Sequence, residues 1–250
     1  MSDQSTRIAA FRALHERGCF ILPNPWDAGS AKRLQALGFK ALASSSSAAA
    51  WTLGLKDHQI TIDQILDHLH RLCAATDLPV NADFESGFAD TPEGVAANVQ
   101  RALETGIAGL SIEDQAGPGS LYPLDMAVAR IQAARAAIDA SGTGALLVAR
   151  TEAYLNEIKD VAFAIERLKA FSEAGADCLF APGMTDAAEI AETVKAVAPK
   201  PVNVLIMNPD MRVADLAALG VRRVSVGGAL AAAAWRGFDA AAAALAEQLA

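Results

Sequence analysis

Hydrophobic and polar positions along this chain repeat in a unit of two parts. A stretch with apolar residues at helical spacing ends in glycine, and a short run of nearly uninterrupted apolar residues follows at once. The unit appears at 34–38 before 39–44, at 102–106 before 107–112, at 171–175 before 176–181 and at 216–220 before 221–226. Glycine just past a helix takes the left-handed conformation that ends it cheaply. The apolar run that follows fits a parallel strand buried on both faces. Four more runs of the same kind lie at 19–23, 78–82, 145–149 and 201–205.

Helix-start chemistry falls between these runs. Asp27 precedes a helical pattern, Thr61 with Gln64 forms a capping box, and Thr91-Pro92-Glu93 places proline in a first helical turn. Asp125 opens a pattern over 126–139, and 1–18 reads as an amphipathic helix. Eight strand–helix units in 250 residues predict an α/β fold, a (β/α)8 TIM-type barrel with parallel strands, spanning 1–250 as one domain. Neither a GxGxxG nor a GxxxxGK[ST] motif follows the first strand, which lowers the dinucleotide-binding and P-loop alternatives. The alanine-rich end, 229–250, reads as a last helical layer with small residues suited to packing on a neighbouring subunit.

Composition narrows the function classes. Net charge is −8 with no basic cluster, which argues against a nucleic-acid partner. Mean hydropathy is +0.24, largely from alanine, and no run approaches the ~20 apolar residues of a membrane span. The first residues lack the apolar core of a signal peptide. Cys19, Cys73 and Cys178 are far apart and form no CxxC pair, so a reduced, cytoplasmic setting with buried thiols is expected.

In such a barrel, chemistry sits at the carboxyl ends of the strands. Those positions hold Asp83 and Glu85 after strand 3, Glu113 after strand 4 and Arg150 after strand 5. Asp83 and Glu85 are two apart, so on extended backbone they point the same way. Three neighbouring acids call for a hard cation, Mg²⁺ or Mn²⁺, and Arg150 suits the carboxylate or phosphonate of a small anionic substrate. Asp114 and Glu152 read as structural partners pointing the other way. The turn 44–57 offers serine hydroxyls and close backbone amides to an oxyanion. Among the histidines only His58, beside Asp57, lies near a candidate loop, and no lysine ends a strand, which sets Schiff-base chemistry aside. Val226-Gly227-Gly228 leaves open a phosphate site, and with it a sugar-phosphate isomerase or a non-catalytic barrel.

The segments Leu53-Gly54-Leu55-Lys56-Asp57, Asp83-Phe84-Glu85-Ser86-Gly87, Ile112-Glu113-Asp114 and Ala149-Arg150-Thr151-Glu152, in this order and spacing, resemble the isocitrate lyase/phosphoenolpyruvate mutase superfamily. The resemblance implies Mg²⁺-assisted cleavage of a C–C bond in a 2-oxo or 2-hydroxy (di)carboxylic acid through an enolate, or alternatively a phosphonopyruvate-type P–C mutase or hydrolase. It implies Asp83 as nearest metal ligand, Glu85 and Glu113 as ligands acting mainly through water, and Asp57 as an outer acid. It also implies Ser45, Ser46, Asp83, Arg150 and Asn203 at the substrate, and a homo-oligomer, tetramer or dimer, that exchanges its last helix. The chain departs from the superfamily's lyases after Glu113. The stretch 114–125 has no Lys-Arg-Cys-Gly-His loop, and Pro182-Gly183 stands where relatives place histidine or glutamate. Within this short lid Tyr122 is the best available proton donor.

Overall fold

Each apolar run becomes a strand: β1 (Phe20–Leu22), β2 (Leu42–Ala43), β3 (Val80–Asp83), β4 (Gly109–Glu113), β5 (Leu146–Arg150), β6 (Cys178–Phe180), β7 (Val202–Leu205) and β8 (Arg223–Ser225). The computed structural model describes residues 3–249. The strands order as β1-β8-β7-β6-β5-β4-β3-β2, and every bridged pair is parallel. β1 and β2 lie at the two ends of that order. The Ala43 amide donates to the Pro23 carbonyl at 3.1 Å and draws them together, so the sheet is a nearly closed (β/α)8 barrel.

The helices are α1 (Gln4–Glu16), α2 (Ala28–Ala36), α3 (Ser46–Thr52), α4 (Ile62–Ala75), α5 (Pro92–Glu104), α6 (Leu124–Ser141), α7 (Val161–Glu173), α8 (Ala187–Val197), α9 (Val213–Ala218) and α10 (Ala229–Ala246). Asp27, Thr61 and Thr91 cap α2, α4 and α5 as their positions predict. Two expectations change. The serine-rich turn is mostly helix: Ser45 Oγ accepts the Ala48 amide and starts α3, because serine at an N-cap satisfies a free helical N–H. α6 begins one residue before Asp125, after Pro123, with no side-chain cap.

α1 closes the amino-terminal mouth. Its Phe11 is fully buried, and a Cβ on Gly109, at the start of β4, would lie 3.1 Å from that ring and 2.9 Å from the Leu146 carbonyl. Only glycine lets β4 pass so close.

The barrel interior is less apolar than the strand runs imply. Strand register places Glu113, Arg150, Phe180, Asn203 and Arg223 side by side around it. Val148, Cys178, Phe180 and Leu205 form an apolar cluster. Elsewhere polar groups satisfy one another: Arg223 Nε donates to Asn203 Oδ1 at 2.9 Å, and Asn203 Nδ2 to Ser225 Oγ at 3.0 Å. Buried polar groups are tolerated when paired in this way.

His15 on α1 packs edge-on against Phe11 and Phe20, and its Nδ1–H donates to the Phe11 carbonyl at 2.8 Å. Burial and the nearby Arg223 guanidinium push its pKa down to about 3, and burial pushes His68 down to about 4. Both pKa values lie below those of the unfolded chain, so the unfolded chain binds more protons across this window. Stability is therefore complete above pH ~6.5 and falls as pH drops toward 3. Thermal melts between pH 8 and pH 4 are expected to show this decline, and His15→Phe to flatten it.

Candidate active site

A cavity of about 400 Å³ opens at the carboxyl ends of the strands. Its polar wall comes from β2 through β5 and the turns after them. Arg150, ending β5, sits at its centre, 15% exposed along the side chain. Its guanidinium meets three acids: Nη1 contacts Asp83 Oδ1 at 2.8 Å, Nη2 contacts Glu113 Oε2 at 3.2 Å and Nε contacts Glu152 Oε1 at 2.6 Å. Phe180 stands beside it with its ring centre 5.4 Å from the guanidinium carbon. The planar fork of arginine permits three simultaneous partners, which a lysine would not hold in this geometry.

Asp83 is fixed from its other side. The Ser46 amide and hydroxyl donate to its Oδ2 at 2.9 and 3.0 Å, and its own amide donates to Ser44 Oγ at 2.8 Å. Ser45 turns away to cap α3 and exchanges a hydrogen bond with Ser47 at 3.0 Å. The first residues of α3 thus present donors to an anion, as helix N-termini do.

Glu85 arrives by a different route than two-residue alternation predicts. Its φ is +44°, a left-handed conformation uncommon for a residue with a side chain, and Gly87 follows at +84°. Fully buried Arg130 of α6 anchors this turn by donating to the Ser86 and Asp90 carbonyls. Glu85 is thereby brought to Asp57 and His58, with ligand atoms of the three within 4.8 Å of one another. His58 Nδ1 lies 3.5 Å from Glu85 Oε2 and 3.9 Å from Glu113 Oε1.

The electrostatics follow from crowding acids in a dry place. Burial pushes Glu113 well above the usual carboxylate range, against the pull of Arg150. Burial also raises Glu85, Asp57 and Glu152. Burial works against the charge of Arg150, but Glu152, Glu113 and Asp83 outweigh it and hold its pKa well above the ordinary value. Contact with Glu85 raises His58 to about 9. Glu85 Oε1 and Glu113 Oε1 remain buried with no hydrogen-bond partner. Two such oxygens beside further acids form a donor set that fits a divalent cation.

Other candidate residues are placed as follows. Asn203 lies below the cavity, bonded to Arg223 and Ser225. Tyr122 does not line the cavity: its ring stacks on Arg130, 4.1 Å from the guanidinium carbon. The lid folds as a small hairpin, Gln115–Gly117 against Ser120–Leu121, and Gln115 Oε1 accepts from Asn156 Nδ2 at 3.0 Å over the mouth. The Val226 and Gly227 amides both donate to Asn24 Oδ1, at 3.0 and 2.9 Å, which occupies the donors a phosphate would use. Gly228 is required by packing, since a Cβ there would lie 2.8 Å from the Trp51 ring. Asp114 is structural, its Oδ2 accepting from buried Arg167 Nε at 2.6 Å.

Sequence reasoning missed two members. Glu152 reads as pointing away, yet it binds Arg150. His58 stands out only by adjacency to Asp57, because its left-handed φ of +60° leaves no mark in the pattern.

The model of the phosphoenolpyruvate phosphomutase family matches residues 11–246. The chain is 35% identical over 200 residues to the 2-methylisocitrate lyase of Escherichia coli (strain K12), covering 75% of this chain and 66% of that one. It is 32% identical over 227 residues to the oxaloacetate decarboxylase of Paraburkholderia xenovorans (strain LB400), covering 84% and 71%. A solved structure from Burkholderia cenocepacia J2315, provisionally assigned as a lyase/mutase, superposes with a TM-score of 0.92 at 48% identity, covering 96% and 87%.

Two substitutions separate the roles of the charges. Arg150→Ala leaves Asp83, Glu113 and Glu152 without their shared cation and is expected to cost about 3 kcal/mol in denaturant unfolding at pH 7. Glu113→Gln removes a carboxylate whose ionised form burial disfavours, so its melting temperature in EDTA is expected to rise.

Proposed function

We propose that this chain, which belongs to the phosphoenolpyruvate phosphomutase family and the wider isocitrate lyase/PEP mutase superfamily, is a divalent-metal-dependent lyase or hydrolase. It cleaves a C–C bond in a small 2-oxo or 2-hydroxy (di)carboxylic acid, and Mg²⁺ or Mn²⁺ is its ion. The observation that carries the reading is the charge arrangement at the carboxyl mouth. A buried arginine is ringed by Asp83, Glu113 and Glu152, and Glu113 and nearby Glu85 each keep a buried oxygen without a hydrogen-bond partner, at the wall of a cavity sized for a small acid.

Asp83, Glu85 and Glu113 hold the cation in this reading, with Asp57 at its outer side. When bound, the cation supplies positive charge next to the oxygen that becomes an oxyanion. The chain's own groups do the rest. Arg150 holds the substrate carboxylate and answers charge at the reacting carbon, with Phe180 covering one face. The Ser46 amide and hydroxyl, both donating to Asp83 Oδ2, fix the carboxylate that faces the reacting oxygen. As the C–C bond of a 2-oxo acid breaks, its electron pair moves into the adjacent carbonyl and gives an enolate, which takes a proton at carbon from water; a 2-hydroxy acid also gives up its hydroxyl proton to water. In the oxo-acid case the departing group leaves as carbon dioxide, or as a carboxylic acid after water adds. No cysteine, histidine or lysine in the hairpin is needed for that sequence. Pro182 closes the far wall where a titrating side chain would otherwise enter.

α10 supports assembly into a homo-oligomer. Of its described residues Ala231 alone is buried, while Leu230, Trp235, Phe238 and Leu245 are 36 to 66% exposed. An apolar helix left so bare is a surface for another copy of the chain. No described helix is long and apolar enough to cross a membrane.

Turnover of oxaloacetate, an acylpyruvate and phosphonopyruvate should be assayed with and without EDTA. The expected outcome is cleavage of one of the two carbon-bond substrates, abolished by EDTA and lowered at least ~100-fold by Asp83→Ala. Metal-independent turnover, or turnover of phosphonopyruvate alone, contradicts the proposal. Light scattering is expected to give a dimer or tetramer that Trp235→Asp with Phe238→Asp dissociates.

A further inference from the structure

Among the acids of the site one nitrogen stands out. His58 follows Asp57 in the loop between α3 and α4, and its backbone amide donates to Asp57 Oδ1 at 3.1 Å. Its left-handed φ of +60° turns the ring inward, so that Nδ1 faces Glu85 and Glu113. The separations of 3.5 and 3.9 Å exceed those of a charge-assisted hydrogen bond, which closes to ~2.7–2.9 Å. They match the spacing of atoms that share one ion: ligands held at ~2.0–2.2 Å stand ~3–4 Å apart. The buried, unpartnered Oε1 atoms of Glu85 and Glu113 supply an independent sign that a further bonding partner belongs here.

We propose that His58 is a direct nitrogen ligand of the cation in this cluster, and that it shifts the site's preference from Mg²⁺ toward Mn²⁺, Co²⁺ and Zn²⁺. The inference rests on the metal-dependent reading above and deepens it. Mg²⁺ takes oxygen and keeps its waters, whereas imidazole binds first-row ions with affinity rising from Mn²⁺ through Co²⁺. A site of carboxylates alone would not discriminate in that way. With Glu85 and Glu113 facing Nδ1, the imidazole joins the Asp83, Glu85 and Glu113 set, and Asp57 stays at its outer side. The other histidines cannot supply the nitrogen: His15 lies at the opposite mouth against Phe11, and His68 and His70 lie on α4, outside the cavity lining.

The test uses the full chain with Mn²⁺ as probe. Electron spin echo spectra of the bound ion are expected to show ¹⁴N coupling from a coordinated imidazole, lost in His58→Ala and His58→Gln. Calorimetric titration is expected to show Co²⁺ and Mn²⁺ affinity falling at least ~10-fold in both variants, with Mg²⁺ affinity changing less than ~3-fold. Unchanged circular dichroism melts would show that the variants fold. Bound Mn²⁺ without nitrogen coupling, or an equal loss for all three ions, overturns the role of His58 and leaves metal dependence standing. No Mn²⁺ bound by the wild-type chain overturns both.

Discussion

A guanidinium buried among three carboxylates organises this protein's site. Arg150 contacts Asp83, Glu113 and Glu152, which come from β3, β4 and the turn after β5. Removing water from four charges is expensive, and the arrangement persists because the fork offers each acid a separate N–H. Mutual position is therefore tightly constrained: a shift of any of the three chain segments breaks a charged contact in a dry place. The acids in turn stay close enough to accept a second cation, which no single pair at the surface would do.

Holding such a cluster takes a second set of buried cations that never enter the cavity. Arg130 carries the β3 turn by its Ser86 and Asp90 carbonyls, and Arg167 carries the β4 turn through Asp114 and the Tyr122 carbonyl. Asn24 ties the β8 turn to β2 by accepting from two amides and donating to the Ser44 carbonyl at 2.9 Å. Each turn is strained or glycine-bearing, and each is met by one buried polar side chain. Precision at the centre is thus supplied by hydrogen bonds one layer out.

The fold was readable because its signals are local. Glycine after a helix, a cap before one and a buried apolar run each occupy a few neighbouring residues, and each of the eight runs holds a strand, with β3, β4 and β5 extending one residue past theirs to Asp83, Glu113 and Arg150. The centre was readable in part: Asp83, Glu113 and Arg150 sit at strand ends, where topology aims side chains inward. Glu152 and His58 were not, because their direction depends on backbone turning after the strand, and a left-handed residue other than glycine carries no sequence signature. The helix inside the serine turn is hidden for a related reason. Ser45 is a capping residue and Ala48, Ala49 and Ala50 are helix formers, but the polar run before them masks the start of α3. The phosphate reading of Val226-Gly227-Gly228 depended on free amides, and only the fold shows them bonded to Asn24.

The lid has a bearing on what the proposed chemistry demands of a substrate. Its hairpin offers Gln115 to Asn156 and exposes Gly119 and Ser120, while Tyr122 is held back against Arg130. Leu155, Phe180, Pro182 and Leu205 add apolar surface to the cavity lining. Charge recognition thus centres on Arg150, and the apolar lining selects by shape, with the Gln115 and Asn156 amides beside it. A substrate satisfying both has its carboxylate at Arg150, its reacting carbonyl beside the cation that the acids would hold, and a compact remainder beneath the hairpin. Methylene-scale differences in that remainder are worth only ~1–3 kcal/mol in an apolar pocket. Selectivity among small oxo acids must then come mainly from the charged end, where the donor atoms around Glu85, Glu113 and His58 set the geometry of the developing oxyanion.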